Sequence, residues 1–158
     1  MVFTVIAIYT VDRTGRKPLM IIGATGMGIC LFAQGFLAYY DIMSKWLLFI
    51  IVGYIASFAL SLGPVVWVYL SEIFPNKIRG RAMSISTFVL WLSCWAVSQT
   101  FPMLDKNEAL IEKFNHGFPF FVYGFFCIVT VIFVWKWVPE TKGKSLEEIE
   151  KWWLKGSK

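Results

Sequence analysis

The charged residues of this chain gather in three short motifs, each at the end of a long apolar run. The motifs occupy residues 12–17, 72–80 and 139–143. Glu72 lies at the margin of an apolar run, where a carboxylate needs a cationic partner. Arg79 is near it in sequence, and Arg13 and Arg16 belong to another motif. The pattern predicts an arginine–carboxylate cluster that ties helices together; the alternative is that Glu72 is a solvated charge.

A break in the apolar run 46–74 is a second candidate site. Gly63 and Pro64 interrupt this run, and proline removes one backbone hydrogen bond and clashes with the preceding turn. We therefore expect a kink or local unwinding. Broken helices at membrane depth are tolerated where they line a cavity or bind a solute. Trp67 follows the break by about one turn, although a structural kink without a ligand is the alternative.

The run 82–101 carries small polar residues and tryptophans at helical spacing. They are Ser84, Thr87, Trp91, Cys94, Trp95 and Ser98. Trp91 lies far from both ends of the run, although tryptophan usually occupies membrane interfaces. This face predicts a water-filled cavity in which Trp91 stacks on a ligand with an apolar face. Packing between helices is the alternative interpretation.

Composition places these motifs in a membrane protein. Of the 158 residues, 58% are hydrophobic and 18% are aromatic, and the mean hydropathy is +0.64, which exceeds what a soluble domain needs. We predict an all-α polytopic bundle with full spans at residues 18–40, 46–74, 82–101 and 118–138. The opening run, residues 1–11, is about half the length of a span, so the chain is expected to begin within a helix.

The distribution of lysine and arginine predicts the orientation. Twelve of the 15 lie in residues 12–18, 75–81 and the tail from Lys136, whereas Lys45, Lys106 and Lys113 lie on the opposite side. By the positive-inside rule the three motifs and the C-terminus are cytoplasmic, and the loop 105–116 faces outward. We divide the chain into a transmembrane bundle, residues 1–140, and a cytoplasmic tail, residues 141–158, with a short amphipathic helix.

The sequence offers no signature of catalysis, metal binding or nucleic-acid binding. It has no nucleophile–base pair and no glycine-rich phosphate loop. Its three cysteines lie in different apolar runs, and His116 is the only histidine, so we predict no metal and no cofactor. The net charge of +5 is clustered between apolar runs rather than along one exposed face, which argues against a nucleic-acid partner.

The three motifs, in their order and spacing, resemble the sugar porter family of the major facilitator superfamily. Residues 12–17 resemble the loop between helices 8 and 9, residues 63–80 resemble helix 10 and its following loop, and residues 139–143 resemble the end of helix 12. The resemblance covers essentially the whole chain but less than half of a family member, from the end of helix 8 through helix 12.

This resemblance implies two six-helix bundles that rock about a central sugar site. It assigns sugar contact to Trp67 and Trp91, with Gly63 and Pro64 at the break. It also implies a cytoplasmic gating network. The network comprises Asp12, Arg13, Arg16, Glu72, Arg79 and Glu140. Leu90 departs from the family, because that position is often Gln or Asn and bonds a sugar hydroxyl.

We therefore expect the C-terminal portion of a monosaccharide transporter in a bacterial inner membrane, working by alternating access as a sugar–proton symporter. Its partners would be a sugar, protons, the lipid bilayer and the missing N-terminal helices. The alternatives are a transporter of another polyol or organic solute, a membrane sugar sensor that does not transport, and a truncated product without activity.

Overall fold

The computed structural model describes residues 14–40, 45–74 and 78–141. Within these ranges the chain forms six helices and no strand. They are α1 (Arg16–Tyr39), α2 (Trp46–Leu60), α3 (Leu62–Ile73), α4 (Arg79–Asp105), α5 (Glu108–Phe114) and α6 (Phe118–Trp137).

Four stretches of the described chain are long and apolar enough to cross a membrane: α1, α2 together with α3, α4, and α6. Each has about 20 residues or more, the length that the hydrocarbon core requires. The chain is therefore a multi-pass integral membrane protein, and its all-α class is confirmed. The opening run 1–11 and the predicted tail helix lie outside the described residues.

Helix α1 packs mainly against α6 and α2, and glycines permit the close approach. A Cβ on Gly35 would lie 2.8 Å from the ring of Phe121. A Cβ on Gly23 would overlap the side chain of Ser61, which is 1% exposed. Small residues let membrane helices approach closely, and these two glycines do so for α1.

The predicted break between α2 and α3 is present, but it lies at Ser61 rather than at Gly63 and Pro64. Ser61 has φ −133° and ψ −89°. Pro64 explains the position, because it has no N–H to donate to the carbonyl of Leu60 and its ring would clash there. The proline thus falls in the first turn of α3, where its missing N–H costs little.

Two sequence expectations need correction in the part of the chain that follows α3. The third span is longer than residues 82–101, since α4 runs from Arg79 to Asp105 and includes Pro102 near its end. The loop 105–116, which the sequence predicted to face outward, contains α5. Asn107 caps this helix, its side chain accepting a hydrogen bond from the amide of Ala109 at 3.2 Å. The asparagine cap was a readable signal in the sequence.

The most enclosed apolar core lies near one end of the bundle. It joins the first turns of α1 to α3 and to the last turns of α6. Its buried members are Leu19, Met20, Val65, Tyr69, Ile73 and Val134. By contrast, none of the residues of α4 is buried, so the core that the described helices share is built mainly by α1, α3 and α6.

Candidate functional site

An ion pair beside this core joins two of the three charged motifs. Arg16 begins α1 and Glu72 lies in the last turn of α3, 56 residues later. The Arg16 guanidinium donates from Nη2 to Glu72 Oε1 at 2.6 Å, with side chains 14% and 27% exposed respectively. The hydroxyl of Thr141 donates to the other oxygen, Glu72 Oε2, at 2.6 Å. Both carboxylate oxygens of Glu72 are therefore engaged.

The third motif closes the cluster through Glu140, which caps the N-terminus of α1. Its two carboxylate oxygens accept hydrogen bonds from the backbone amides of Arg16 at 3.0 Å and Lys17 at 3.1 Å. These amides have no partner within the helix, and the helix dipole favours a negative charge there. Gly15 precedes them at φ 99°, and a Cβ on it would lie 2.9 Å from Glu140 Oε2.

Residues of all three motifs thus meet at one end of the bundle, and of the candidate arginines it is Arg16 that pairs with Glu72. Arg79 does not pair with Glu72; its Nε donates to the carbonyl oxygen of Phe74 at 3.4 Å. Asp12 and Arg13 lie outside the described residues.

Sequence reasoning missed two members of this region, Thr141 and Tyr69. Thr141 is 3% exposed, and nothing in its sequence context marks it as a ligand of Glu72. Tyr69 precedes Glu72 by three residues, a spacing that places both on one face of α3. Its hydroxyl is buried and has no hydrogen-bond partner among the described residues.

The interrupted helix α2–α3 carries Trp67, the first of the two residues proposed to contact a ligand. Ser57 and Ser61 donate their hydroxyls to the carbonyls one turn back, at 2.8 Å and 3.0 Å. These bonds satisfy the polar groups at the break within their own helix. Trp67, by contrast, is 42% exposed although it lies within a membrane span. Its indole is available to a molecule outside the described bundle.

The predicted polar face of α4 is exposed, but its hydroxyls do not by themselves require a water-filled cavity. Ser84 and Ser98 donate to the carbonyls of Gly80 and Cys94, both at 2.9 Å. Residues 91–100 are all exposed, on both faces of the helix, and Trp91 is 65% exposed. Neither Trp67 nor Trp91 contacts another aromatic ring within the described residues.

The sequence that carries these motifs matches a known protein family. The family profile "Sugar (and other) transporter" matches residues 1–153 of the chain. The chain belongs to this sugar transporter family. The family assignment agrees with the four membrane spans and with the resemblance that the motifs suggested.

Among curated members of the sugar transporter family, the chain is 51% identical over 153 residues to the D-xylose-proton symporter of Escherichia coli, covering 97% of this chain and 31% of that protein. It is 40% identical over 156 residues to the arabinose-proton symporter of Bacillus subtilis, covering 98% and 32%. It is 43% identical over 152 residues to a glucose facilitated diffusion protein of Zymomonas mobilis, covering 96% and 32%.

Solved structures agree on the fold of this family member. A double-tryptophan mutant of XylE superposes with a TM-score of 0.90 at 51% identity, covering 96% of this chain and 32% of that one. The inward-open xylose transporter XylE from E. coli superposes with a TM-score of 0.86 at 50% identity, covering 96% and 33%. The chain has a major facilitator fold, and it spans about a third of the length of the relatives it matches.

Proposed function

We propose that this chain supplies the C-terminal part of a monosaccharide transporter that works by alternating access and couples sugar to protons. The observation that carries the proposal is the 51% identity, over nearly the whole chain, to a D-xylose-proton symporter. The similarity to an arabinose-proton symporter supports the same substrate class and coupling. The relatives are transporters, and in this proposal the chain performs no catalysis.

In this proposal the Arg16–Glu72 cluster is the cytoplasmic gate. The cluster binds the start of α1, the end of α3 and the segment after α6 through charge-assisted hydrogen bonds, which are roughly twice as strong as neutral ones. Separating these elements requires breaking those bonds, so the cluster favours the state in which this end is closed. Arg79, Asp12 and Arg13 remain proposed members of the gate through other partners.

The ligand site is proposed on the same helix as the gate. Trp67 precedes Glu72 by five residues, about 7.5 Å along α3, and both follow the break at Ser61. A tilt of α3 about the break, where Gly63 and Pro64 begin the helix, would move Trp67 and Glu72 together. Sugar contact at Trp67 is thereby linked mechanically to the gate.

The exposed Trp91 is proposed as a second stacking surface for the sugar. Leu90 precedes it and offers no hydrogen bond, so discrimination between sugars at this position depends on apolar contact. A site without a hydroxyl-bonding group discriminates weakly. We therefore propose that the transporter accepts several pentoses or hexoses.

A chimaera tests the transport function: the chain replaces the matched third of the E. coli D-xylose-proton symporter. Uptake of labelled D-xylose, L-arabinose and D-glucose is measured in vesicles with and without a pH gradient. We expect saturable uptake that the gradient drives. A control chimaera carries the matched third of the arabinose-proton symporter. If the control transports sugar and an equally well inserted test chimaera does not, the proposal is wrong.

A second candidate, facilitated diffusion, is favoured by the 43% identity to the glucose facilitated diffusion protein. The two candidates differ in whether a pH gradient concentrates sugar in the vesicles. The N-terminal part of the chimaera comes from a symporter. The two candidates are therefore distinguished by whether the pH gradient still drives sugar uptake in the chimaera. Uptake that equilibrates sugar but never concentrates it would favour facilitated diffusion.

The orientation is likewise a proposal, with the charge cluster and the C-terminus cytoplasmic in a bacterial inner membrane. The lysine and arginine bias supports it. Single cysteines at Asn107, in the cap of α5, and at Ser157 are labelled in intact cells with an impermeant thiol reagent. Labelling is expected at Asn107→Cys only. Labelling at Ser157→Cys alone would reverse the orientation.

A further inference from the structure

A cavity away from the charge cluster has no role in the proposed transport function. It lies between α1, α2, α4 and α6 and encloses about 700 Å³, within the range of about 300–1,000 Å³ typical of small-molecule sites. We call it the four-helix cavity. Gln34 marks its position on α1, 18 residues after Arg16, roughly 27 Å along the helix axis. It therefore lies toward the opposite end of the bundle.

Gln34 is the residue of this cavity that most needs a ligand. Its side chain lines the cavity and the residue is 6% exposed, yet it makes no hydrogen bond to any described residue. A buried carboxamide without a partner is costly, and such groups are normally satisfied. Tyr54, on the facing helix α2, also lines the cavity without a hydrogen bond from its hydroxyl within the described chain.

The other polar groups of the lining are already engaged. The hydroxyls of Ser98 and Thr130 donate to carbonyls of their own helices at 2.9 Å. The hydroxyl of Tyr123 donates to the carbonyl of Val97 at 3.4 Å. A monosaccharide would need donors as well as acceptors for several hydroxyls, whereas of the described lining residues only Gln34 and Tyr54 keep an unengaged N–H or O–H donor. Apolar residues make up most of the remaining lining. They include Leu31, Ile51, Phe101 and Phe126.

The charge of the lining and the position of the opening limit which class of ligand can bind. Among the described residues no Asp, Glu, Lys or Arg lines the cavity, so a charged head group would find no counter-charge in this part of the chain. On one side of the cavity, Ile51 of α2 and Ser98 and Pro102 of α4 line it and are exposed. Since both helices are membrane spans, a molecule dissolved in the bilayer can enter laterally.

We propose that the four-helix cavity binds an uncharged amphiphile from the bilayer. Its hydrocarbon chain would lie among the apolar side chains. Its single hydroxyl or carbonyl group would bond the carboxamide of Gln34, with the hydroxyl of Tyr54 as the second partner. This site is separate from the sugar site proposed at Trp67 and Trp91 and does not depend on transport activity.

The test uses the purified chain in phosphatidylcholine nanodiscs and a hexadecanol that carries a diazirine in its chain. After illumination, the crosslinked residues are identified by mass spectrometry. We expect saturable labelling of cavity residues such as Phe126 and Thr130. Unlabelled hexadecanol should compete better than hexadecane, which fits the chain but lacks the hydroxyl. Labelling spread evenly over the exposed faces of α2 and α4 would overturn the proposal.

Two isosteric variants separate binding from folding. Gln34→Leu removes the carboxamide, and the loss of one neutral hydrogen bond should weaken competition by hexadecanol roughly two- to tenfold. Its thermal midpoint should not fall, because an unpartnered polar group is removed. Gln99→Leu is the matched control, since Gln99 is exposed on α4 beside Ser98 but does not line the cavity. Equal effects of the two variants would contradict the role of Gln34.

The last experiment tests what occupies the four-helix cavity in a complete transporter. The same labelling is repeated in the chimaera, where the helices absent from this chain are present. Retained labelling of Phe126 and Thr130 supports an amphiphile site. If labelling of both residues disappears, the cavity is instead an interface covered by other helices of the transporter, and the proposal fails.

Discussion

Neutralising Glu72 tests whether the charge cluster acts as a gate. Glu72→Gln keeps the shape of the side chain. Its amide oxygen can still accept a hydrogen bond from Arg16, and its amide nitrogen, in place of the second oxygen, can donate to the Thr141 hydroxyl. The change therefore removes the charge-assisted part of the interaction while the packing is retained. A hydrogen bond to a charged group contributes about 1.5–3 kcal/mol and a neutral one about 0.5–1.5 kcal/mol. The expected loss is about 1–1.5 kcal/mol.

This loss changes the conformational equilibrium only if the ion pair differs between states, because a perturbation shifts populations by its differential free energy. If the pair exists only when this end is closed, the ratio of closed to open protein falls roughly five- to twelvefold. The side chains of Arg16 and Glu72 are 14% and 27% exposed, so solvent screening should reduce the effect only modestly.

The assay places a reporter cysteine near the gate in the chimaera. Ser84→Cys lies about one turn into α4 and is exposed, at the same end of the bundle as Glu72. Its rate of alkylation from the cytoplasmic side should rise several-fold in Glu72→Gln. Glu112→Gln makes the same chemical change on α5 at the opposite end and is the matched control. Unchanged alkylation and unchanged uptake in Glu72→Gln would refute the gate.

Three further predictions concern single side chains. Trp67→Ala and Trp91→Ala should each weaken sugar binding to the chimaera roughly two- to twelvefold, from the loss of about 0.5–1.5 kcal/mol of aromatic contact. Sugar affinity is measured by titration. Normal affinity in both variants would show that these tryptophans serve only in packing. Gly15→Ala should cost about 1–3 kcal/mol in thermal unfolding, because φ 99° and ψ 160° suit glycine almost exclusively. Gly80→Ala has open space around its Cβ and should cost nothing. Tyr69→Phe should be neutral or stabilise the protein by up to about 1 kcal/mol, since the hydroxyl has no hydrogen-bond partner among the described residues. A clear loss of thermal stability would show that the hydroxyl does have a hydrogen-bond partner.

The sequence predicted the secondary structure well where length and hydropathy decide it. The spans α1 and α6 begin and end within two residues of their predicted limits, because an apolar run must be helical to satisfy its backbone in lipid. Pro64 predicted the break but not its position. The helix ends three residues earlier, at Ser61, because the proline acts on the preceding turn. The limits of α4 were missed because this helix extends beyond its apolar run, to Arg79 and Asp105. Helix α5 was missed although its Asn107 cap was readable in the sequence.

The candidate site was predictable only in part. The motifs indicated which charged residues would gather at one end, and the predicted pair of Glu72 with Arg16 is present. Arg79, the alternative partner and the one nearer in sequence, bonds the carbonyl oxygen of Phe74 instead. Thr141 and the cap formed by Glu140 could not be foreseen, because contacts 69 and 124 residues apart leave no periodic trace.

By itself the sequence determined the membrane spans, their interruption and the family, since these depend on local composition and on short motifs. Tertiary structure alone decided which arginine neutralises Glu72. Several cations lie within plausible reach of this carboxylate, and sequence spacing does not rank them. The ranking comes from packing: Gly23 lets α1 approach the break at Ser61, and this contact brings Arg16 beside α3. Gln34 is buried in a cavity for the same reason, because only the arrangement of four helices determines which polar groups are left without a partner.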